Sequence, residues 1–369
     1  MSAKINQYRQ IFIACVGAVC IHCFPSLSFC QNVQTPVRSF KAWDENNDGV
    51  LIREEVPIGL RQQFDRIDRN HDGQITLNEH MAGRPQPMDF DESQQVPERM
   101  NRHLIHQTWP QEPDGFDREY FVSVPSSSKR FPIVMLLHGN GGSAKSMVRN
   151  WSIQFPQYVI VSPQGYAKSW NISKERSKAP DVAFIVSVLN DIAHRYPSAN
   201  QHDISLIGFS NGAGMVYRLL IEGEKIKGIR NAIAFVSSMT SGQYHDRSFW
   251  KRSDESSDVY DTSVIPVGKK NILTIHGTAD NVVPYYGGRG PGGMHLSAQD
   301  TAYAWALAQG FEGSRIPDNE GMPCGDHLVR YDYSSAHVSH IKIVGGRHGI
   351  GSERTTIQSI MSQILKREE

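Results

Sequence analysis

One pentapeptide limits what this chain can become more than any other: Gly208-Phe209-Ser210-Asn211-Gly212. It follows the apolar run 204–207 and opens segment 211–222, whose apolar positions recur at helical spacing. Small residues on either side of Ser210 allow a tight strand-to-helix turn that thrusts the hydroxyl outward, a nucleophile elbow. An ordinary glycine-rich turn is the competing reading, and the position between strand and helix outweighs it. The elbow needs parallel strands linked by helices, and the surrounding sequence supplies them. Apolar runs at 120–124, 133–137, 158–161, 232–236, 272–275 and 341–344 read as strands. Helical patterns fall at 181–196, 297–308 and 352–365. This alternation predicts an α/β domain with a mostly parallel sheet covered by helices on both faces.

A serine hydroxyl is a weak nucleophile near neutral pH, so it needs a base and a group that orients the base. On this architecture the acid and the histidine follow the serine, in that order. Asp280 sits in His276-Gly277-Thr278-Ala279-Asp280, just after the strand at 272–275. His348 ends Gly345-Gly346-Arg347-His348, after the last strand. Both lie at C-terminal strand ends, where open parallel sheets build their sites. His276 reads as part of a His-Gly turn, and His327, His337 and His340 lack the glycine-rich loop. Acyl transfer also needs donors for an oxyanion. The backbone N–H of Asn211 is one, and that of Asn140, in the loop His138-Gly139-Asn140-Gly141-Gly142, is the other. Asp181 reads as a helix-start carboxylate. Trp170 is left between lining an acyl pocket and simply packing.

These motifs resemble a known family. Leu137-His138-Gly139, Gly208–Gly212 continuing to Met215, His276-Gly277-Thr278-Ala279-Asp280 with Pro284-Tyr285, and Gly345-Gly346-Arg347-His348 are similar to the polyhydroxybutyrate depolymerase and feruloyl esterase group of α/β-hydrolases. The likeness covers roughly residues 116–367. It implies the α/β-hydrolase fold and a secreted serine esterase acting on aryl, acetyl or hydroxyalkanoate esters. Carried over position by position, it implies a triad of Ser210, Asp280 and His348. Where the family often follows its histidine with Trp-Pro, this chain has Gly349 and Ile350. With no polymer-binding module visible beyond the N-terminal repeat, a soluble plant-polysaccharide ester fits as well as a solid polyester.

That repeat has a period of 24 residues: Phe40 matches Phe64, Asp44 matches Asp68, Gly49 matches Gly73, and Glu55 matches Glu79. Both copies satisfy the EF-hand loop pattern. Calcium takes six to eight oxygens, from side chains at loop positions 1, 3 and 5, a carbonyl at 7 and a bidentate Glu at 12, with glycine at 6 for the turn. Here these are Asp44, Asn46, Asp48, Val50 and Glu55, then Asp68, Asn70, Asp72, Gln74 and Glu79, around Gly49 and Gly73. Ile52 occupies position 9, where Thr76 stands in the second loop, so the second site should bind at least as tightly. Leu51 and Ile75 are placed to join the loops by a short β-ladder. The expectation is a small all-α EF-hand pair, dockerin-like, with two structural calcium ions and no cofactor for the chemistry.

Before it, Lys4 and Arg9 precede an apolar stretch at 11–24, with no acidic residue ahead of Asp44. Fourteen residues cannot span ~30 Å of hydrocarbon, so the pattern reads as a secretory signal peptide over 1–30. Phe29 argues against a lipoprotein box at Cys30. Cys15, Cys20 and Cys23 fall inside this segment, leaving Cys30 at its edge and Cys324, too few for a disulfide framework. Prolines at 85, 87, 97, 110 and 113 mark 83–115 as a linker. The organisation expected is signal 1–30, calcium module 31–82, linker 83–115 and esterase domain 116–369. Lys plus Arg equals Asp plus Glu at 38 each, but residues 31–92 hold seven against twelve, so the acidic excess sits in the calcium module. Nucleic-acid binding is not expected, nor a membrane span after signal removal. The leading expectation is a secreted or periplasmic esterase for a polysaccharide- or polyester-linked substrate. A calcium-dependent surface protein on an inactive hydrolase scaffold and a peptidase on the same fold are the alternatives.

Overall fold

The computed structural model describes residues 40, 43–44, 46, 48–56, 64–68, 70–82 and 100–366, except 128, 224–225 and 256. The signal segment 1–30 and residues 83–99 lie outside them. The described residues form two units, one up to Ala82 and one from Met100. None of the described helices is long and apolar enough to cross a membrane.

In the first unit, strands β1 (Val50–Leu51) and β2 (Ile75–Thr76) pair antiparallel, with Leu51 opposite Ile75, as the repeat implied. Phe40, Leu51, Val56, Phe64 and Ile75 make its buried core. The two loops are built alike. Asp44 accepts from the amides of Asp48 (3.1 Å) and Gly49 (3.1 Å), and Asp68 from those of Asp72 (3.3 Å) and Gly73 (2.9 Å). The turn at position 6 places Gly49 at φ 87° and Gly73 at φ 81°, where a side chain would be strained. Glu55 and Glu79 accept from the amides of Ile52 and Thr76. Glu79 also accepts from the Thr76 hydroxyl at 2.8 Å.

The second unit is organised by a ten-stranded sheet. Its strands in chain order are β3 (Met100–Trp109), β4 (Glu112–Ser123), β5 (Phe131–Leu137), β6 (Val159–Pro163), β7 (Ala199–Phe209) and β8 (Ile229–Phe235). Three short strands, β9 (Tyr244–His245), β10 (Ser248–Lys251) and β11 (Thr262–Val264), form a separate small sheet before β12 (Asn271–Gly277). A ribbon of β13 (Gly288–Gly290) and β14 (Gly293–His295) follows, then β15 (Met322–Pro323), β16 (Leu328–Tyr333) and β17 (Val338–Ile343). The spatial order is β15-β16-β17-β12-β8-β7-β5-β6-β4-β3. The six strands from β6 to β17 are parallel, and both edges are antiparallel. This is the strand order of the α/β-hydrolase fold, with the elbow after β7.

Both faces are apolar, as a sheet covered on both sides requires. In β5, Ile133, Met135 and Leu137 enter one core while Val134 and Leu136 enter the other. Helices Asp181–Arg195, Asn211–Glu222 and Ala298–Ala308 pack on the first face. Helices Ala144–Gln154 and Arg354–Leu365 pack on the second. The helix Ala144–Gln154 escapes a reading by periodicity because only Ala144 and Val148 are buried in it.

The linker assignment needs correction: residues 100–109 and 112–123 are strands β3 and β4, so the sheet begins sixteen residues before position 116. Pro110 and Pro113 mislead because neither is asked to donate to a ladder. Pro110 occupies the hairpin turn, and Pro113 stands at the register irregularity between Gln107 and Trp109. Leu136 is fully buried on the second face. Leu136→Ala should lower the unfolding free energy by about 2–5 kcal/mol, read as a lower urea midpoint at unchanged denaturant slope.

Candidate active site

At the C-terminal edge of the sheet the three side chains singled out from the sequence meet. Ser210 links β7 to the helix Asn211–Glu222 with φ 53° and ψ −118°, a conformation an L-residue adopts only at a cost of about 1–3 kcal/mol. Neighbouring backbone holds it there: its amide donates to the Phe235 carbonyl at 2.9 Å, and its carbonyl accepts from Ala213. Gly212 is obligatory because a Cβ would run into the carbonyl oxygens of Leu137 and His138.

His348 Nε2 lies 2.8 Å from Ser210 Oγ, and His348 Nδ1 lies 2.7 Å from Asp280 Oδ2. The Asp280 carboxylate is fully buried. Burial pushes its pKa up, but hydrogen bonds from His276 and His348 and from the Val282 amide outweigh that and hold it well below the usual carboxylate range. Its other oxygen, Oδ1, accepts from the amides of Val282 (2.8 Å) and Val283 (3.0 Å). The loops carrying Asp280 and His348 interlock: Ala279 donates to the Gly346 carbonyl at 2.8 Å, and Gly345 donates to Thr278 Oγ1 at 2.8 Å. A Cβ on Gly277 would fall on the Gly346 carbonyl, so glycine is what lets the two loops touch.

The loop after β5 lies against the elbow, with the Cβ position of Gly139 only 3.3 Å from the Phe209 carbonyl. Among the described residues neither the Asn140 nor the Asn211 amide has a hydrogen-bond acceptor, and both residues line one pocket with Ser210. His138 is a brace and not a catalyst. Its Nε2 accepts from the Gly165 amide at 3.0 Å, so the proton is on Nδ1, which faces the Gly139 carbonyl at 2.7 Å. Burial lowers its pKa and keeps the ring neutral. Trp170 packs: it is fully buried, and its indole donates to the His138 carbonyl at 2.8 Å.

Several residues that position the site carry no sequence signature. The Asn211 side chain accepts from the Trp170 amide at 2.7 Å and so ties the elbow to the segment after β6. Below that segment, Arg118, Arg218 and Arg252 are all buried. Arg218 donates to the Asn171 carbonyl (2.6 Å) and Arg252 to the Asn171 side chain (2.8 Å). Asp181 does start its helix, yet it works as a buried anchor, paired with Arg118 at 2.5 Å and accepting from the Asn171 amide at 2.6 Å. The only signal for this was the presence of ionisable residues inside apolar runs. Val236, held at φ 48°, precedes Ser237 and Ser238 in the pocket wall.

The pocket encloses about 590 Å³. Ile172, Val282 and Val283 give it an apolar side, and Ser237, Thr240 and Gln243 a polar one. Among the described residues, no group of three acidic, histidine or cysteine side chains is placed to hold a metal ion. In the first unit Asp44 and Asp68 accept from their own loop amides.

No protein-family model matches this chain. A protein of Nocardia uniformis subsp. tsuyamanensis named "Putative esterase NocK" is 26% identical over 250 residues, 61% of this chain and 67% of that protein. Among solved structures, a "putative dipeptidyl aminopeptidase IV" from Bacteroides ovatus superposes with TM-score 0.48 at 12% identity, over 72% of this chain and 35% of that one. This chain therefore spans about a third of the peptidase's length. A phospholipase/carboxylesterase from Dyadobacter fermentans superposes with TM-score 0.42 at 18% identity, over 67% of this chain and 96% of that one.

The interlocked glycines give a direct check on the geometry. Gly277→Ala should leave the protein folded but lower kcat about a hundredfold by separating the Asp280 and His348 loops; steady-state kinetics beside a thermal melt would read both.

Proposed function

We propose that the chain is a serine hydrolase of carboxylic esters, with Ser210 as nucleophile, His348 as base and Asp280 as the group that orients it. One observation carries this reading: an unbroken hydrogen-bonded line from Asp280 through His348 to Ser210, ending on a strained elbow that faces a pocket. His348 takes the Ser210 proton as Oγ attacks the ester carbonyl. The unengaged amides of Asn140 and Asn211 receive the oxyanion, and His348 returns the proton to the departing alcohol. Water activated by the same imidazole then releases the acid. The name of the Nocardia relative supports esters as the bond class.

The substrate fits an ester that is partly apolar and partly hydroxylated: aryl, acetyl-sugar or hydroxyalkanoate. The mixed pocket wall supports this range, as does the resemblance to polyhydroxybutyrate depolymerases and feruloyl esterases. Export is part of the proposal, supported by the basic start and short apolar stretch of the first thirty residues.

Calcium belongs to the first unit and takes no part in the chemistry. The donor set of each loop fits a hard cation: carboxylate, amide and carbonyl oxygens at EF-hand spacing, on turns already folded around Asp44 and Asp68. Asp44, Asn46, Asp48, Val50 and Glu55 would hold one ion, and Asp68, Asn70, Asp72, Gln74 and Glu79 the other.

Ser210→Ala should reduce release of p-nitrophenol from short acyl esters by at least about a thousandfold, and undiminished turnover would overturn the assignment. Isothermal calorimetry on the full chain should find two calcium sites, with Glu79→Gln weakening one by tenfold or more; absence of any calcium-dependent heat would remove the metal from the proposal.

A further inference from the structure

Asp280 has a second imidazole that a three-residue triad does not need. His276, in β12, places Nε2 3.0 Å from Asp280 Oδ2, the same oxygen that His348 Nδ1 reaches at 2.7 Å. That Nε2 is also 3.0 Å from the Val283 carbonyl oxygen. A ring nitrogen facing two oxygens carries the proton, so the Nε2–H tautomer is fixed. The other nitrogen, Nδ1, is buried and has no hydrogen-bond partner among the described residues.

An unpartnered buried acceptor destabilises a fold, and an apolar side chain of similar size would remove that penalty. His276 is therefore a poor choice for packing, and only its Nε2–H bond justifies it. The groups around it are otherwise neutral or paired. His340 of β17 is buried between Thr274 Oγ1 and the Tyr285 hydroxyl, Tyr285 packs edge-on against His276, and Lys342, its register partner, pairs with Asp318.

We propose that His276 is a positioning residue for the esterase chemistry, sharing Asp280 Oδ2 with His348. This inference rests on the triad reading above. With Oδ1 fixed by two amides and Oδ2 by His276, the carboxylate cannot rotate away from His348.

The test compares His276→Phe, which removes the donor, with His276→Gln, whose amide can reach Oδ2, and His276→Asn, whose shorter amide cannot. The Phe variant should lose about tenfold or more in kcat at unchanged KM. Gln should restore kcat and Asn should not; this pair carries the test if Phe fails to fold. A kcat that stays at the wild-type value in Phe and Asn overturns the inference, whatever happens to stability. Labelling of Ser210 by a fluorophosphonate separates the two layers. A wild type that does not label sinks the triad and this inference together, while labelling with an unchanged kcat in the variants sinks this inference alone.

Discussion

The close approach of backbone to backbone at the C-terminal edge of the sheet is the constraint on which the site depends. Strands β7, β12 and β17 end along that edge, and the loops after them must bring three side chains into the same small volume. That is possible only where no Cβ intervenes. Gly212 lets the elbow helix touch the ends of β5, and Gly277 lets the Asp280 loop touch the His348 loop. The φ of 53° at Ser210 follows from the same crowding, since the chain must reverse from strand to helix without room for a wider turn.

Such a strained edge needs support from below, and the support is polar. Asn171 is bound through its carbonyl, side chain and amide to Arg218, Arg252 and Asp181, and Asp181 is bound in turn to Arg118. Buried ion pairs of this kind contribute little net stability, because desolvation offsets much of the attraction. Their directional hydrogen bonds do fix the path of the chain. Here they hold the segment that bears Trp170, which braces the His138 loop, and Ile172, which lines the pocket.

Legibility in the sequence followed the range of the interaction. The elbow and the repeated turns at Gly49 and Gly73 were legible because each is a local pattern whose residues lie within a dozen positions of one another. Strand β3 and the first part of β4 were not, because edge strands tolerate prolines that a central strand would exclude. His276 was set aside as a turn residue, although its nitrogen shares an oxygen with the histidine taken as base. The use of Asp181 as an anchor for a loop ten residues earlier, against an arginine 63 positions away, has no periodic trace at all.

Chemistry was therefore written in the sequence and geometry was not. Local spacing determined which groups were available: a serine flanked by glycines, an aspartate and a histidine after later strands, and carboxylates at EF-hand intervals. Only the tertiary structure decided that Ser210 and His348, 138 positions apart, come within 2.8 Å, and that the Asn140 and Asn211 amides share a pocket with them. It also settled Trp170 as packing. The physical reason is that local propensity acts over a turn of helix or a hairpin, whereas these contacts depend on strand order, and strand order is set by how two apolar faces are buried at once.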